Sequence, residues 1–458
     1  MRLTTDRKRV GLDLTRGPIF RLLILFAAPM VLTNLVQQLY STVDLIVIGK
    51  FVGNVGTVGV ATGGEMADFM TIFAVAIAMG GQIYIAQLAG AKDEKRLKEA
   101  VGTLLTLLMG ASVVVMAAAL LFHRPILEML NCPGEARGQA AQYMMITALG
   151  MPFVFGYNAV ASILRGMGES TRPLIFITVA AVINIFADLL LVAVFPLQAA
   201  GTAIATVLSQ AGSFFAAFFY MYRHREAFDF QLGWSFFRIR ATPLKLILKM
   251  GVPQLARSFA VQGSMLWVKA NINVYGLVPS STYSIGNKIE KFMNVFVMGV
   301  DGAAGAMIGQ NLGAQRQDRV KKTMWYTLAC NFSVAFVVCA VFLLFPRQLF
   351  RLFTNEAQVI EFGVVFLRIM SVGMLVVAFA SCFKSIATGA GAAGLCFLLG
   401  ILDGVCRILV CLLFFHVFRQ GVQSYFWGAA FCMLVPGLIS FFYFITGRWK
   451  KKKLLSEL

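Results

Sequence analysis

Long apolar stretches separated by short polar loops dominate the chain. Each stretch approaches or exceeds the roughly 20 residues that an α-helix needs to cross a bilayer. Six lie in the first half and six in the second, which predicts an all-α polytopic membrane protein with about twelve transmembrane helices. The apolar runs lie near residues 20–48, 56–83, 99–122, 138–162, 173–195 and 199–222, and then near 243–268, 280–307, 322–345, 361–384, 392–416 and 424–446.

The two halves of the chain repeat each other at a nearly constant offset. Pro29 recurs as Pro253, an offset of 224 residues, and Gln87 recurs as Gln310, an offset of 223 residues. Because each copy holds six spans, both copies insert with the same orientation. The sequence therefore predicts two pseudo-symmetric six-helix lobes formed by parallel repeats, an architecture typical of transporters.

Composition agrees with this class. The chain is 59% hydrophobic and 13% charged, which is more apolar than a soluble domain. We predict a basic cytosolic tail over 1–19, a first lobe over 20–222, an interfacial connector over 223–242, a second lobe over 243–447 and a basic tail over 448–458.

The net charge of +19 is spread over loops, so it indicates topology rather than nucleic-acid binding. Most basic loop residues fall on one side if both termini are cytosolic, which predicts a multi-pass protein of the cell membrane. Eight cysteines without a CxxC pair and only three histidines argue against a metal site. We expect a monomer in the lipid bilayer.

A polar stripe runs along the first span. Asn34, Gln37, Ser41 and Asp44 are spaced 3, 4 and 3 residues apart, which places all four on one helix face. A stripe that ends in a carboxylate cannot favourably face lipid. It faces a cavity or another helix.

The fifth span carries a second acid. Asn184 and Asp188 share a helix face, and Asp188 lies at a depth similar to that of Asp44. Burial and a second nearby carboxylate both favour the protonated form of such a group. The pair is therefore a candidate proton-coupling or cation site, and the structural alternative is two hydrogen-bonded acids that pack helices together.

Opposite charges occupy equivalent positions in the two repeats. Glu65 and Asp68 in the second span align with Lys288 and Lys291 in the eighth. We predict an ionic latch between the lobes, which charge reversal of both pairs would test. The alternatives are pairing within each lobe, for example of Glu290 with a lysine, and exposure of these charges to an aqueous cleft.

Other polar residues lie in the second repeat. Gln262 and Lys269 in the seventh span belong to a polar-edged stripe and are candidate cavity residues, with packing and snorkelling as the alternative. Asp403 and Arg407 are four residues apart, and we expect them to neutralise each other on one helix.

Several segments together resemble the MATE (multidrug and toxic compound extrusion) transporters over nearly the whole chain. No single segment would suffice. They are NLVQQLYSTVD at 34–44, QLAGA at 87–91, RGMGESTRP at 165–173, NIFAD at 184–188 and GQNLGA at 309–314.

The resemblance implies export of cationic or amphiphilic small molecules by proton- or sodium-driven antiport, with no cofactor besides the coupling ion. Asp44, Asn184 and Asp188 look like the coupling site of the DinF-like branch. Acids expected in the seventh span of the NorM-like branch are absent between Gly251 and Gly276. The resemblance also assigns Gln37, Asn158 and Thr202 to the same cavity, but on less specific matches.

Two other functions are compatible with parts of this pattern. A flippase for a lipid-linked precursor is the nearest alternative, although a cationic cavity would be expected there rather than these first-lobe acids. A membrane-embedded enzyme would need a clustered catalytic set, such as an Asp-rich metal motif, and the sequence shows none. We therefore expect a transporter and not an enzyme.

Overall fold

The computed structural model describes residues 11–52, 54–129, 132, 134–224, 237–450 and 454, and these residues form helices without β-strands. The first repeat contains α1 (Ile19–Phe51), α2 (Asn54–Ala91), α3 (Glu94–Met129), α4 (Gly134–Leu149), α5 (Met151–Gly166), α6 (Thr171–Asp188), a π-helix (Leu189–Val194) and α7 (Gln198–Arg223). The second contains α8 (Ala241–Asn273), α9 (Leu277–Gly313), α10 (Gln317–Leu344), α11 (Pro346–Arg351), α12 (Ala357–Gly389), α13 (Ala393–His416), α14 (Gln423–Phe431), α15 (Leu434–Ile445) and a 3₁₀ turn (Arg448–Lys450).

The number of helices that can span a membrane agrees with the prediction from the sequence. Within the described residues, ten helical spans are long and apolar enough to cross a membrane, and α4 and α5, bent by 48° at their junction, make an eleventh. The 33-residue α8 is long enough to be a twelfth, but it carries several basic residues. The all-α class with about twelve membrane helices is confirmed.

The repeat is visible in the backbone as well as in the sequence. Lys92 ends α2 with φ of 57°, and Gln315, 223 residues later, ends α9 with the same φ of 57°. Gly168 and Gly391, at the same offset, also have positive φ. Such values are uncommon for residues other than glycine, so their recurrence shows that equivalent helices end by the same left-handed turn.

The chain forms two compact units, and the first span of each repeat is divided between them. Unit 1 contains residues 1–13 and 32–251, and unit 2 contains residues 14–31 and 252–458. The change of unit therefore falls inside α1 and inside α8, close to Pro29 and Pro253. Proline removes a helix hydrogen bond and tolerates a change of direction there.

Close backbone approaches hold the exchanged segments. In unit 2, Met30 and Val31 pack against Gly302 and Gly299 of α9. At its start, this segment is held by Arg319, which donates a hydrogen bond of 2.9 Å to the carbonyl of Gly17. In unit 1, the carbonyl of Ile247 and the backbone of Gly251 lie against Gly80 of α2.

The repeat boundaries at 20–222 and 243–447 stay a prediction from the sequence. Of the predicted tails and connector, residues 1–10, 225–236, 451–453 and 455–458 lie outside the described residues.

Candidate functional site

The two acids singled out in the first repeat meet inside unit 1. Asp44 lies on the second half of α1 and Asp188 is the last residue of α6. Asp44 is 8% exposed, whereas Asn184, Asp188 and Thr202 of α7 are fully buried. Tertiary structure thus brings four predicted site residues from three helices into the interior of one unit.

The carboxyl groups of Asp44 and Asp188 lie close enough to interact with each other. Asn184 lies beside Asp44, and Thr202 lies beside Asp188. The arrangement is an acid pair flanked by an amide and a hydroxyl. Such a group can share one proton or bind one monovalent cation, because close carboxylates do not both stay ionised without a counter-charge.

Most polar atoms of this cluster make no well-aligned hydrogen bond within the described part of the chain. They are Asp44 Oδ1, both carboxyl oxygens of Asp188, both amide atoms of Asn184 and Thr202 Oγ1. Buried polar groups are normally paired. A concentration of unpaired oxygens around two acids therefore marks this cluster as the candidate site.

Local backbone structure positions Asp188. The regular α-helix ends at this residue and continues as a π-helix, in which the amide of Phe195 donates to the carbonyl of Leu190. Short π-helical segments occur frequently at functional sites. The wider π-helical turn begins directly after Asp188. A change in the contacts of the Asp188 side chain therefore acts on the least regular part of the helix.

Two tyrosines near the acids were missed by the sequence analysis. Tyr40 lies within hydrogen-bonding reach of Gln210, and Tyr143 within reach of Thr206. Both tyrosines interact electrostatically with Asp44. A signal was present, because Tyr40 precedes Asp44 by one helical turn and Tyr143 aligns with a phenylalanine, Phe366, in the second repeat.

The remaining first-lobe candidates lie outside this close group. Asn34 and Gln37 are partly buried on α1. Asn158 donates a 2.8 Å hydrogen bond to the carbonyl of Val154 on its own helix. The side chain of Ser41 lies outside the described residues.

The charged positions of the proposed latch are exposed in their own units. Glu65 and Asp68 lie on α2 of unit 1, and Lys288 and Lys291 lie on α9 of unit 2. Their pairing stays a prediction. Glu290, which would pair with a lysine of its own lobe in the alternative arrangement, accepts a 3.2 Å hydrogen bond from Asn294.

The second-repeat candidates Gln262 and Lys269 are exposed on α8. The expected neutralisation of Asp403 by Arg407 needs correction. The close partner of Asp403 is Lys384 of α12, with Nζ 2.6 Å from Oδ2. Arg257 of α8 lies farther away, with Nε 3.8 Å from the same oxygen. Arg407 interacts with Asp403 only as a nearby charge. Packing between helices brings Lys384 of α12 closer to the carboxylate than Arg407, which lies on the same helix as Asp403.

No cluster of three or more histidine, cysteine, aspartate or glutamate side chains that could hold a metal occurs among the described residues.

Comparisons with known proteins agree with the fold and the repeat. The MatE family model matches residues 29–190 and 253–413, one match for each repeat. The chain is 26% identical to the probable multidrug resistance protein YpnP of Bacillus subtilis, over 97% of this chain and 99% of that protein. It is 27% identical to the probable multidrug resistance protein YoeA of the same species, over 78% of each chain.

A MATE protein solved in the bent conformation has the same fold, with a TM-score of 0.88 and 20% identity over 96% of this chain and 99% of that one. Since the family model covers most of both repeats, including Asp44, Asn184 and Asp188, the chain belongs to the MatE family of membrane transporters.

Proposed function

We propose that this transporter exports cationic or amphiphilic small molecules from the cell in exchange for protons, by alternating access. The observation that carries the proposal is the buried pair Asp44–Asp188, whose oxygens lack well-aligned partners within the described residues. The names of the relatives YpnP and YoeA, both probable multidrug resistance proteins, support export of drugs.

The acid pair supplies a physical basis for coupling. When ionised, it attracts a cationic substrate from the cytosolic side. Proton uptake from outside removes that attraction and changes the contacts of α1 and of the π-helical end of α6, so that the cation is released outward. Proton loss to the cytosol resets the cycle, because each ligand favours a different state of the same site.

Basic loops support an orientation with both termini in the cytosol. Lys92–Lys98 and Arg316–Lys322 lie on the proposed inner side, whereas the opposite loops carry fewer basic residues, among them Arg124 and Arg351. Positive residues are retained on the cytosolic side during insertion. We propose a monomer in the cytoplasmic membrane.

Export is favoured over lipid flipping. The proposed site is acidic, which suits exchange between protons and organic cations, and the similar curated proteins are named for drug resistance. Sodium is the alternative coupling ion, since carboxylate and amide oxygens also bind it.

The test is ethidium transport by purified protein in proteoliposomes, with proton and sodium gradients imposed separately. We expect proton-driven transport, and a more than tenfold loss of it in Asp44→Asn and in Asp188→Asn. Glu135→Gln, at an exposed carboxylate of α4, is the matched control and should transport normally. Full proton-driven transport by Asp44→Asn would show that this carboxylate does not couple.

A further inference from the structure

A second charged group lies in unit 2, on α8. This helix is long enough to cross the membrane, but it is less apolar than the other spans because it carries Lys245, Lys249, Arg257 and Lys269. Arg257 lies about one helical turn after Pro253, in the part of α8 that belongs to unit 2. Basic residues within spans face partners or water-filled cavities rather than lipid.

Two glycines of α13 fix the position of Arg257. A Cβ atom at Gly400 would overlap the Cβ of Arg257, and a Cβ atom at Gly404 would lie 2.8 Å from the carbonyl oxygen of Ala260. The GxxxG spacing of these glycines lets helix backbones approach closely. The stem of Arg257 therefore rests on the backbone of α13, and its guanidinium group lies near Asp403.

Lys384 and Arg257 contribute unequally to the neutralisation of Asp403. The buried Lys384 ammonium group contacts Oδ2 at 2.6 Å, whereas Arg257 Nε is 3.8 Å from the same oxygen. Arg257 donates no hydrogen bond to any described residue, and its side chain is 30% exposed. A guanidinium group has five N–H donors, so Arg257 keeps donors for another acceptor.

Two other charged groups, Asp301 and Arg407, lie near this cluster. Asp301 accepts a 2.9 Å hydrogen bond from Asn331 and interacts electrostatically with Lys384 and Arg257. Arg407, which is 5% exposed and whose Nε has no hydrogen-bond partner in the described part of the chain, interacts with Glu290 and Asp403. Arg257 is thus more exposed than Lys384 or Arg407, and the two carboxylates nearest to it accept their hydrogen bonds from Lys384 and Asn331.

We propose that Arg257 binds an oxyanion, a carboxylate or phosphate group, and so selects amphiphilic molecules that carry such a group. Lys384 is a positioning residue: it neutralises Asp403, which would otherwise hold Arg257 and repel the anion. Guanidinium groups recognise carboxylates and phosphates through paired N–H donors. This inference deepens the proposed function and rests on it, because it concerns the molecules that the exporter carries.

The test uses two dyes that differ in one group. Rhodamine 123 carries a methyl ester where rhodamine 110 carries a free carboxylate. Fluorescence anisotropy with purified protein in dodecyl maltoside micelles gives the Kd of each dye. We expect Arg257→Gln to weaken rhodamine 110 binding about tenfold and rhodamine 123 binding less than twofold. Arg257→Lys, which keeps the charge but loses the paired donors, should fall between.

Arg351→Gln removes an exposed arginine outside the cluster and should change neither Kd. The double variant Lys384→Met/Asp403→Asn gives an independent check, since it removes the carboxylate that competes for Arg257 and should tighten rhodamine 110 binding severalfold. Equal weakening of both dyes by Arg257→Gln, or tightening of neither by the double variant, would overturn the proposal.

A lipid headgroup is the second source of the same oxyanion. Repeating the measurement in phospholipid nanodiscs separates the two sources. Unchanged rhodamine 110 binding assigns the site to the transported molecule, whereas weaker binding in the wild type but not in Arg257→Gln assigns it to a headgroup. Because binding is measured without a gradient, a failure of proton-driven ethidium transport would refute the proposed function without deciding this one.

Discussion

Thr202 shows how a side chain acquires a role from its surroundings. Its hydroxyl is fully buried and lies within reach of Asp188, and it has no well-aligned partner within the described residues. The sequence offered only the family resemblance as a reason to single it out. The threonine Thr178, on the exposed side of α6, uses its hydroxyl to bond the carbonyl of Leu174 on its own helix.

Thr202→Val should slow proton-driven transport about five- to tenfold, because it keeps the side-chain shape and removes the hydroxyl beside a charged group. Initial rates in proteoliposomes measure the effect. Thr178→Val is the matched control and should transport at the wild-type rate. Equal rates for both variants would exclude the Thr202 hydroxyl from the site.

Lys384→Met should destabilise the protein by about 3 kcal/mol or more, because it leaves the buried carboxylate of Asp403 without its closest counter-charge. Thermal unfolding in detergent measures the change. Lys384→Met/Asp403→Asn should recover much of the loss, since it removes both members of the buried pair. A double variant as unstable as the single one would show that the two side chains are not coupled.

Three helices of this protein have irregular points that divide a span between units or adjoin a candidate site residue. α6 turns into a π-helix directly after Asp188, and α1 and α8 change unit near Pro29 and Pro253. On α13, by contrast, a regular helix uses Gly400 and Gly404 to bring another backbone close. Irregular turns and glycine grooves are both features of backbone geometry, and hydrophobic periodicity does not report either.

Gly400→Ala tests the glycine groove of α13. Alanine normally favours a helix over glycine, but the added methyl group would overlap the stem of Arg257. We expect a lower unfolding temperature and weaker rhodamine 110 binding. Gly394→Ala, on the same helix with open space around its Cβ position, should raise the unfolding temperature or leave it unchanged. The same response from both variants would contradict the proposed contact.

The whole molecule combines sequence symmetry with an exchange of segments. Each unit contains most of one repeat together with the other repeat's first half-span, as residues 14–31 in unit 2 and residues up to Gly251 in unit 1. The equivalent left-handed turns at Lys92 and Gln315 show that the repeats keep the same backbone pattern. The acidic site of unit 1 and the basic cluster of unit 2 show that their chemistry differs.

Reporter fusions test the topology of the whole chain. Green fluorescent protein fused after Leu458 should fluoresce, and alkaline phosphatase at the same position should be inactive, because the C-terminus is proposed to be cytosolic. Alkaline phosphatase fused after Asn355, in the loop between α11 and α12, should be active. The opposite pattern would reverse the assigned orientation.

By itself, the sequence determined the helical membrane class, the two repeats and the identity of the first-lobe acids. Apolar runs and a fixed offset are properties of chain order, and a charged residue within an apolar run is conspicuous. Only the tertiary structure decided that Asp403 pairs with Lys384 rather than with Arg407 four residues away. It also added Tyr40 and Tyr143 to the acid site, because contacts between helices depend on packing and on backbone irregularities that no spacing along one helix encodes.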